Sequence, residues 1–309
     1  MIRPTMFWTL PLSVLLLVLV PALLGKAPRR GESPLETGRP GPGRVPAVKG
    51  GSIFAKENLL AWCIVPFDAK KRGPKERVEM LLKLGIRRVA YDWRGHHVPT
   101  WDEEMALYKT RGIELIGFWG FSDGALSLMK RHGIRTQFWV TMGGRGKDQA
   151  ERVKAAAGHV ETIARKAKEA GCTVALYNHG GWAGEPENQI EVIELLKTRG
   201  VGNVGICYNL HHGHHRMKDF AAMLKKMRPY LWCLNLNGMK PGTKILPFGQ
   251  GPGDAEILRA IRKSGYRGPI GILGHRANID VEVALRQNLD GMKAMLKKIG
   301  DTDALKTYK

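Results

Sequence analysis

From Asn58 onward the sequence repeats one unit, an apolar run of strand length followed by an amphipathic stretch of helical period. The apolar runs are NLLAWCIVPFD, RRVAYDW, IELIGFWG, RTQFWVTMG, CTVALYNHGG, VGICYNLHH, LWCLNLNGM and PIGILGH. Between them, segments such as PKERVEMLLKLG, DEEMALYKTRG, GALSLMKRHG, KDQAERVKAAAGHVETIARKAKEAG and PENQIEVIELLKTRG place apolar residues at i, i+3, i+4 and i+7, and glycine repeatedly closes the last turn. Three more helices are expected around residues 220–227, 256–263 and 281–298. Strands that are apolar on both faces must be covered on both sides. Eight such βα units in a row predict an α/β fold, a closed parallel (β/α)8 TIM barrel of one domain. The alternative, an open doubly wound sheet, would bring a dinucleotide-binding GxGxxG turn after its first strand, and none follows there.

The barrel is expected over residues 58–300, with a C-terminal tail at 301–309. Residues 28–57 carry Pro28, Pro34, Pro40, Pro42 and Pro46 among glycines and basic residues, the composition of a linker. Before it, residues 7–24, FWTLPLSVLLLVLVPALL, hold no charge, follow Arg3 and precede Gly25-Lys26-Ala27. Residues 1–27 thus read as a signal peptide or as an uncleaved single-pass anchor, so the protein is expected to be exported, periplasmic or extracellular, or tethered to a membrane.

The formal charge of +21 raises nucleic acid as a partner. The cations, however, recur on outer helix faces, as in KRGPKERVEMLLKLGIRR, RKAKEAG, LKKMRP and MLKKIG, rather than in one stripe interleaved with aromatics. A solvated basic surface is expected and no nucleic-acid partner. Cys63, Cys172, Cys207 and Cys233 lie singly in apolar runs and never as CxxC, which argues against a zinc knuckle or a redox pair and for buried thiols.

A barrel of this kind carries its chemistry at the C-terminal ends of the strands. Those ends read Asp68 on the first strand, Asp92, Trp93 and Arg94 with His96 and His97 on the second, Trp119 on the third and Thr141 on the fourth. They continue with Tyr177, Asn178 and His179 with Trp182 on the fifth, Asn209, His211 and His212 on the sixth, Asn235 and Asn237 on the seventh, and His275 on the eighth. Trp93, Trp119, Trp139 and Trp182 beside amides and imidazoles suit a small carbohydrate, whose apolar faces stack while its hydroxyls hydrogen-bond. Carboxylates are scarce near these ends, with Asp68, Asp92, Glu185 and Glu187 nearly all there is. YNLHHGHH, residues 208–215, is expected to form the sixth-strand rim, with His212 facing substrate and His214 and His215 in an exposed loop.

VALYNHGGW, VGICYNLHH and GQGPGDAEILRAIRKSGYRGPIGI together resemble the fifth strand, sixth strand and closing segment of the xylose isomerase-like sugar isomerase/epimerase barrels. The resemblance spans residues 58–299 and implies one divalent metal held by Glu, Asp, His and Glu from the fifth to eighth strands, with the glutamates shuttling the proton. Here those positions are Tyr177, Asn209, Asn235 and, near the eighth-strand Glu, Leu273, while Asn178, His179 and His212 match. Tyr and Asn supply no anionic oxygen to a hard cation at neutral pH. Three outcomes stay open: a metal-free polar pocket, one divalent transition metal on His179, His212 and His275, or a metal held through Asp92 or Glu185.

The expected activity is isomerisation or epimerisation of a small carbohydrate, with His179 or His212 as base and Asp92 or Glu185 as its carboxylate partner. Arg94 or Lys244 would stabilise the enediolate, and Gln250 joins the binding residues. The alternative is a non-catalytic carbohydrate-binding barrel that has lost its metal site. An AP endonuclease-like nuclease would need a carboxylate-rich multi-zinc cluster, which the sequence lacks.

Overall fold

The structure, a computed structural model, describes residues 51–240, 245–276 and 278–309. Eight parallel strands close into a barrel in chain order: β1 (Leu59–Trp62), β2 (Arg88–Tyr91), β3 (Glu114–Trp119), β4 (Gln137–Val140), β5 (Thr173–Tyr177), β6 (Val204–Asn209), β7 (Leu231–Leu236) and β8 (Ile270–Leu273). β1 pairs with β8 from Leu59↔Ile270 to Trp62↔Leu273, so no edge strand is left to pair with another chain. The helices alternate with the strands: α1 (Pro74–Lys83), α2 (Trp101–Arg111), α3 (Asp123–His132), α4 (Gln149–Glu169), the single turn α5 (Gly181–Gly184), α6 (Pro186–Thr198), α7 (Phe220–Met227), α8 (Asp254–Ser264), α9 (Val281–Ile299) and α10 (Thr302–Lys306). This is the closed TIM barrel that the repeat implies. No helix among the described residues is long and apolar enough to cross a membrane, and the 7–24 run lies outside the described residues.

Period-two alternation sends one set of side chains outward against the helices and the other set into the barrel. The inner set is unusual in its tryptophans. Trp62, Trp139 and Trp232 fill the interior with Leu60, Ile116 and Cys207, and the Trp62 and Trp139 ring centroids lie 4.2 Å apart. Each indole occupies space that a glycine leaves open. A Cβ on Gly117 would stand 2.3 Å from the Trp139 ring, one on Gly205 2.2 Å from Trp232 and one on Gly271 2.6 Å from Trp62. Trp139, expected among ligand-stacking aromatics, is therefore barrel core at 1% exposure.

Two boundaries differ in detail from the sequence reading. β1 ends at Trp62, where Cys63 turns left-handed at φ 56°, and residues 63–68 form a loop through Pro66, which cannot donate to a strand ladder. Within the segment read as linker, Ile53, Phe54 and Ala55 are buried, and Lys56–Asn58 form a 3-10 turn leading into β1. The tail packs on this segment: Tyr308 Oη donates to the Phe54 carbonyl at 2.8 Å, and the Lys56 N–H donates to Thr307 Oγ1 at 2.9 Å.

Candidate functional site

A cavity of about 260 Å³ opens at the C-terminal ends of the strands. Phe67, Trp119 and Tyr177 give it aromatic walls, and His179, His211, His212 and His275 supply imidazoles. Cys63, Asp92 and Asn209, all buried, form its deepest part, and the exposed Arg94 lines it from the β2 side. Tyr177 stands edge-on to Trp119 at 4.4 Å, and Phe67 stacks on His275 at 3.5 Å with the Arg94 guanidinium 5.4 Å from its ring centre.

Asp92 is the only carboxyl lining the cavity among the described residues. It follows β2 directly, so the barrel wall fixes its backbone and points the side chain inward at 3% exposure. Oδ1 accepts the Val65 N–H at 3.4 Å, while the buried Oδ2 has no hydrogen-bond partner among the described residues. Burial lifts its pKa from the ordinary 3.8 to about 6, against the opposing pull of the Val65 amide and the Arg94 charge.

Beside it runs a chain of neutral groups. Asn209 Nδ2 donates to Tyr177 Oη at 2.8 Å, Asn235 Nδ2 donates to Asn209 Oδ1 at 2.8 Å, and the His211 N–H donates to the same Oδ1 at 3.0 Å. Tyr177, Asn209 and Asn235 are three of the positions at which the resemblance implies metal ligands, and the fourth, Leu273, is buried hydrocarbon. The implied hard cation does not fit them: no anionic oxygen is offered, and the hydroxyl and amides hydrogen-bond to one another. Among the described residues no three His, Cys, Asp or Glu side chains are grouped so as to hold a metal ion. His179 and His212 are neighbours at 4.5 Å, but His275 approaches the cluster through His211, at 6.2 Å.

YNLHHGHH ends β6 and then winds into two 3-10 turns across Leu210–Arg216, kinked at Gly213, the first of which turns His211 and His212 into the cavity. Burial first, then the neighbouring imidazoles, lowers the pKa of His211 to about 4 and of His212 to about 3. Burial also lowers that of His275. His214 is half-buried rather than loop-exposed, its Nδ1 3.3 Å from the Lys240 carbonyl, while His215 is exposed and meets Glu185 at 2.8 Å. Arg216 anchors the segment, pairing with Glu185, Glu187 and Asp219 at 2.7 to 2.9 Å.

Of the residues expected at the site, Asp92, Arg94, Trp119, Tyr177, His179, Asn209, His212 and His275 come together. Glu185 does not line the cavity, because Arg216 and His215 hold it in an ion-pair network. Asn178 faces the β6 backbone instead, exchanging hydrogen bonds of 3.0 and 2.7 Å with Asn209. Trp93 supports the wall from behind, its Nε1 donating to the Trp119 carbonyl, and Trp182 covers Gly144 while bonding Gln149. His96 lies against His97 with the rings tilted and 3.9 Å apart, Asn235 is buried and bonds Asn209, and Asn237 bonds the Gly238 carbonyl. Gln250 is exposed in the β7–α8 loop, whose shape is set by buried Asp254 accepting the Met239, Gly249 and Gly251 N–H groups. Lys244 lies outside the described residues. Asp68, read as the first-strand end, is tied to Arg72 and to the Val281 N–H, and Cys63 and Phe67 hold that side of the cavity instead. Pro66 is the sequence signal that would have placed the strand end before Phe67 and Asp68.

Residues 120–296 match the family model described as a xylose isomerase-like TIM barrel. No curated protein matches the sequence. Among solved structures, the 3-keto-D-glucoside 4-epimerase YcjR from E. coli aligns with a TM-score of 0.60 at 14% identity, over 78% of this chain and 100% of its own. The IolI protein with a bound zinc atom aligns with a TM-score of 0.60 at 14% identity, over 78% and 98%. A xylose isomerase domain protein from Planctomyces limnophilus aligns with a TM-score of 0.59 at 14% identity, over 80% and 99%. At such identities the likeness is one of fold.

Proposed function

The chain belongs to the xylose isomerase-like TIM barrel family, and from that premise we propose that it isomerises or epimerises a small carbohydrate by proton transfer next to a carbonyl, with Asp92 as the base. The observation that carries this reading is the Asp92 carboxyl itself: buried, lining the cavity, one oxygen unpartnered, its pKa raised to about 6. Such a group is mostly ionised at neutral pH yet basic enough to take a proton from carbon, which is the balance a general base needs.

Proton abstraction leaves negative charge on the former carbonyl oxygen. His211 and His212 hold their rings neutral through burial and mutual repulsion, so their ring N–H groups are hydrogen-bond donors to that oxygen rather than proton acceptors. The base thereby passes from an imidazole, where the sequence expectation put it, to the carboxylate expected to partner it. Arg94 adds fixed positive charge at the cavity wall. Trp119, Tyr177 and Phe67 provide faces for the sugar ring. The proposal includes export through residues 7–24, which cell fractionation with an antibody against the barrel would test.

The test is solvent deuterium incorporation, followed by NMR, into a panel of neutral aldoses, ketoses and keto-glycosides incubated with the full chain in D2O. Exchange that persists with a chelator and falls about 10²–10⁴-fold in Asp92→Asn supports the reading. Exchange that requires an added divalent ion, or that Asp92→Asn leaves unchanged, defeats it. The substitution of every implied metal-ligand position favours a second reading, a carbohydrate-binding barrel without turnover, which predicts saturable sugar binding by calorimetry and no exchange.

A further inference from the structure

Cys63 is the first residue beyond β1, and its backbone is left-handed at φ 56°. That conformation costs a residue with a Cβ about 1–2 kcal/mol and is free to glycine. The thiol it carries is 6% exposed and lines the cavity. It lies beside the Asp92 carboxyl, which lines the same cavity, and close enough to Tyr177 to help raise that hydroxyl's pKa. The remaining cysteines are placed otherwise: Cys207 and Cys233 face each other inside the barrel, and Cys172 precedes β5 with its Sγ 3.6 Å from the Ile134 carbonyl. The second observation at this point of the cavity is Asp92, buried with an unpartnered oxygen.

We propose that Cys63 is the acid that works in alternation with Asp92, its S–H protonating the substrate's carbonyl oxygen while Asp92 takes the proton from the neighbouring carbon. This rests on the proton-transfer reading above. For an aldose the Asp92 carboxylate removes the C2 proton, the C–H electron pair forms the C1=C2 bond, and the carbonyl pair moves onto O1. The Cys63 S–H gives its proton to O1, leaving an enediol and a thiolate. The thiolate then takes the proton from the C2 hydroxyl, C2=O forms, and the Asp92 carboxylic acid returns its proton to C1. The product is the ketose, both side chains are restored, and no oxidant, reductant or co-reactant is consumed.

The closeness of the two groups makes the alternation natural. Two anions side by side in a buried site repel, so a thiolate beside an ionised carboxylate is strongly disfavoured. Burial first, then the Asp92 charge, keeps the resting thiol protonated. Once Asp92 has accepted the substrate proton, that repulsion is gone and the thiol can give its proton up.

The test compares Cys63→Ala, Cys63→Ser and Cys63→Gly with the wild-type full chain in the deuterium-exchange assay, with thermal unfolding run on each. The expected result is a kcat loss of about 10²-fold or more in Cys63→Ala and Cys63→Gly with KM changed less than threefold, and partial recovery in Cys63→Ser. The alkaline limb of the kcat profile should also move in Cys63→Ser. Glycine accepts the left-handed backbone, so that variant decides the matter if alanine unfolds. Exchange within twofold of wild type in a folded Cys63→Gly overturns the inference and leaves the function intact. Absence of exchange in the wild type across the panel overturns both.

Discussion

Replacing Asp92 with asparagine is expected to lower activity about 10²–10⁴-fold and yet stabilise the fold, by an amount that depends on pH. The folded-state pKa of about 6 lies above the ordinary 3.8. Between these values the native state keeps a proton that the unfolded chain has lost, so stability falls as pH rises through that window, and above it the whole cost is present. A rise from 3.8 to about 6 corresponds to about 3 kcal/mol at pH 8, shrinking to about 0.5 kcal/mol at pH 4. An amide does not titrate, accepts the Val65 N–H as the acid does, and adds only a fixed penalty for its own N–H groups. The gain of Asp92→Asn over wild type should therefore be about 2–3 kcal/mol larger at pH 8 than at pH 4, or several degrees in Tm for a domain of this size. Urea unfolding of both proteins at the two pH values measures it. A gain that is the same at both pH values, or a variant less stable than wild type at pH 8, would refute a buried, proton-poised carboxyl at the cavity.

Four further outcomes follow from the packing and the charges. Gly205→Ala puts a Cβ 2.2 Å from the Trp232 ring and should cost at least about 1–3 kcal/mol in chemical unfolding, with most of it recovered when Trp232→Leu is added. Glu104→Gln leaves the buried Arg77 guanidinium without its ion-pair partner inside the α1–α2 layer and should cost about 3–5 kcal/mol by the same measurement. Asn209→Leu strands the Tyr177 hydroxyl, the Asn235 amide and the His211 N–H together, at about 1–3 kcal/mol for each group left unpaired, and should lower exchange activity as well. His211 and His212 titrate near 4 and 3 when folded but near 6.5 when unfolded, so the unfolded state binds more protons below pH 6.5 and stability falls as pH falls. His212→Gln should make the loss between pH 6.5 and 4 shallower than in wild type.

The order of the elements was legible along the chain because each βα unit announces itself locally: an apolar strand run, a helical period, a glycine at the turn. Eight of them in succession leave a closed parallel sheet as the way to cover every strand on both faces. The residues at most strand ends were legible for the same reason, and Asp92, Arg94, Trp119, Tyr177, His179, Asn209, His212 and His275 do meet in one cavity. The inner set of tryptophans was not, since Trp139 and Trp119 read alike as aromatics on strands. Both point into the barrel as register partners, and only the space left open over Gly117 makes Trp139 core while Trp119, the last residue of β3, walls the cavity. Glu185 and Asp92 likewise read as equivalent carboxylates near strand ends. Arg216, thirty-one positions away, claims the first, and burial against the barrel raises the pKa of the second. The sequence by itself determined the architecture and the loss of anionic ligands, because both depend on residue type and local period. Tertiary structure alone decided which carboxyl is poised, which imidazoles stay neutral and that Cys63 stands beside Asp92, because these follow from burial and from distances between residues far apart in the chain.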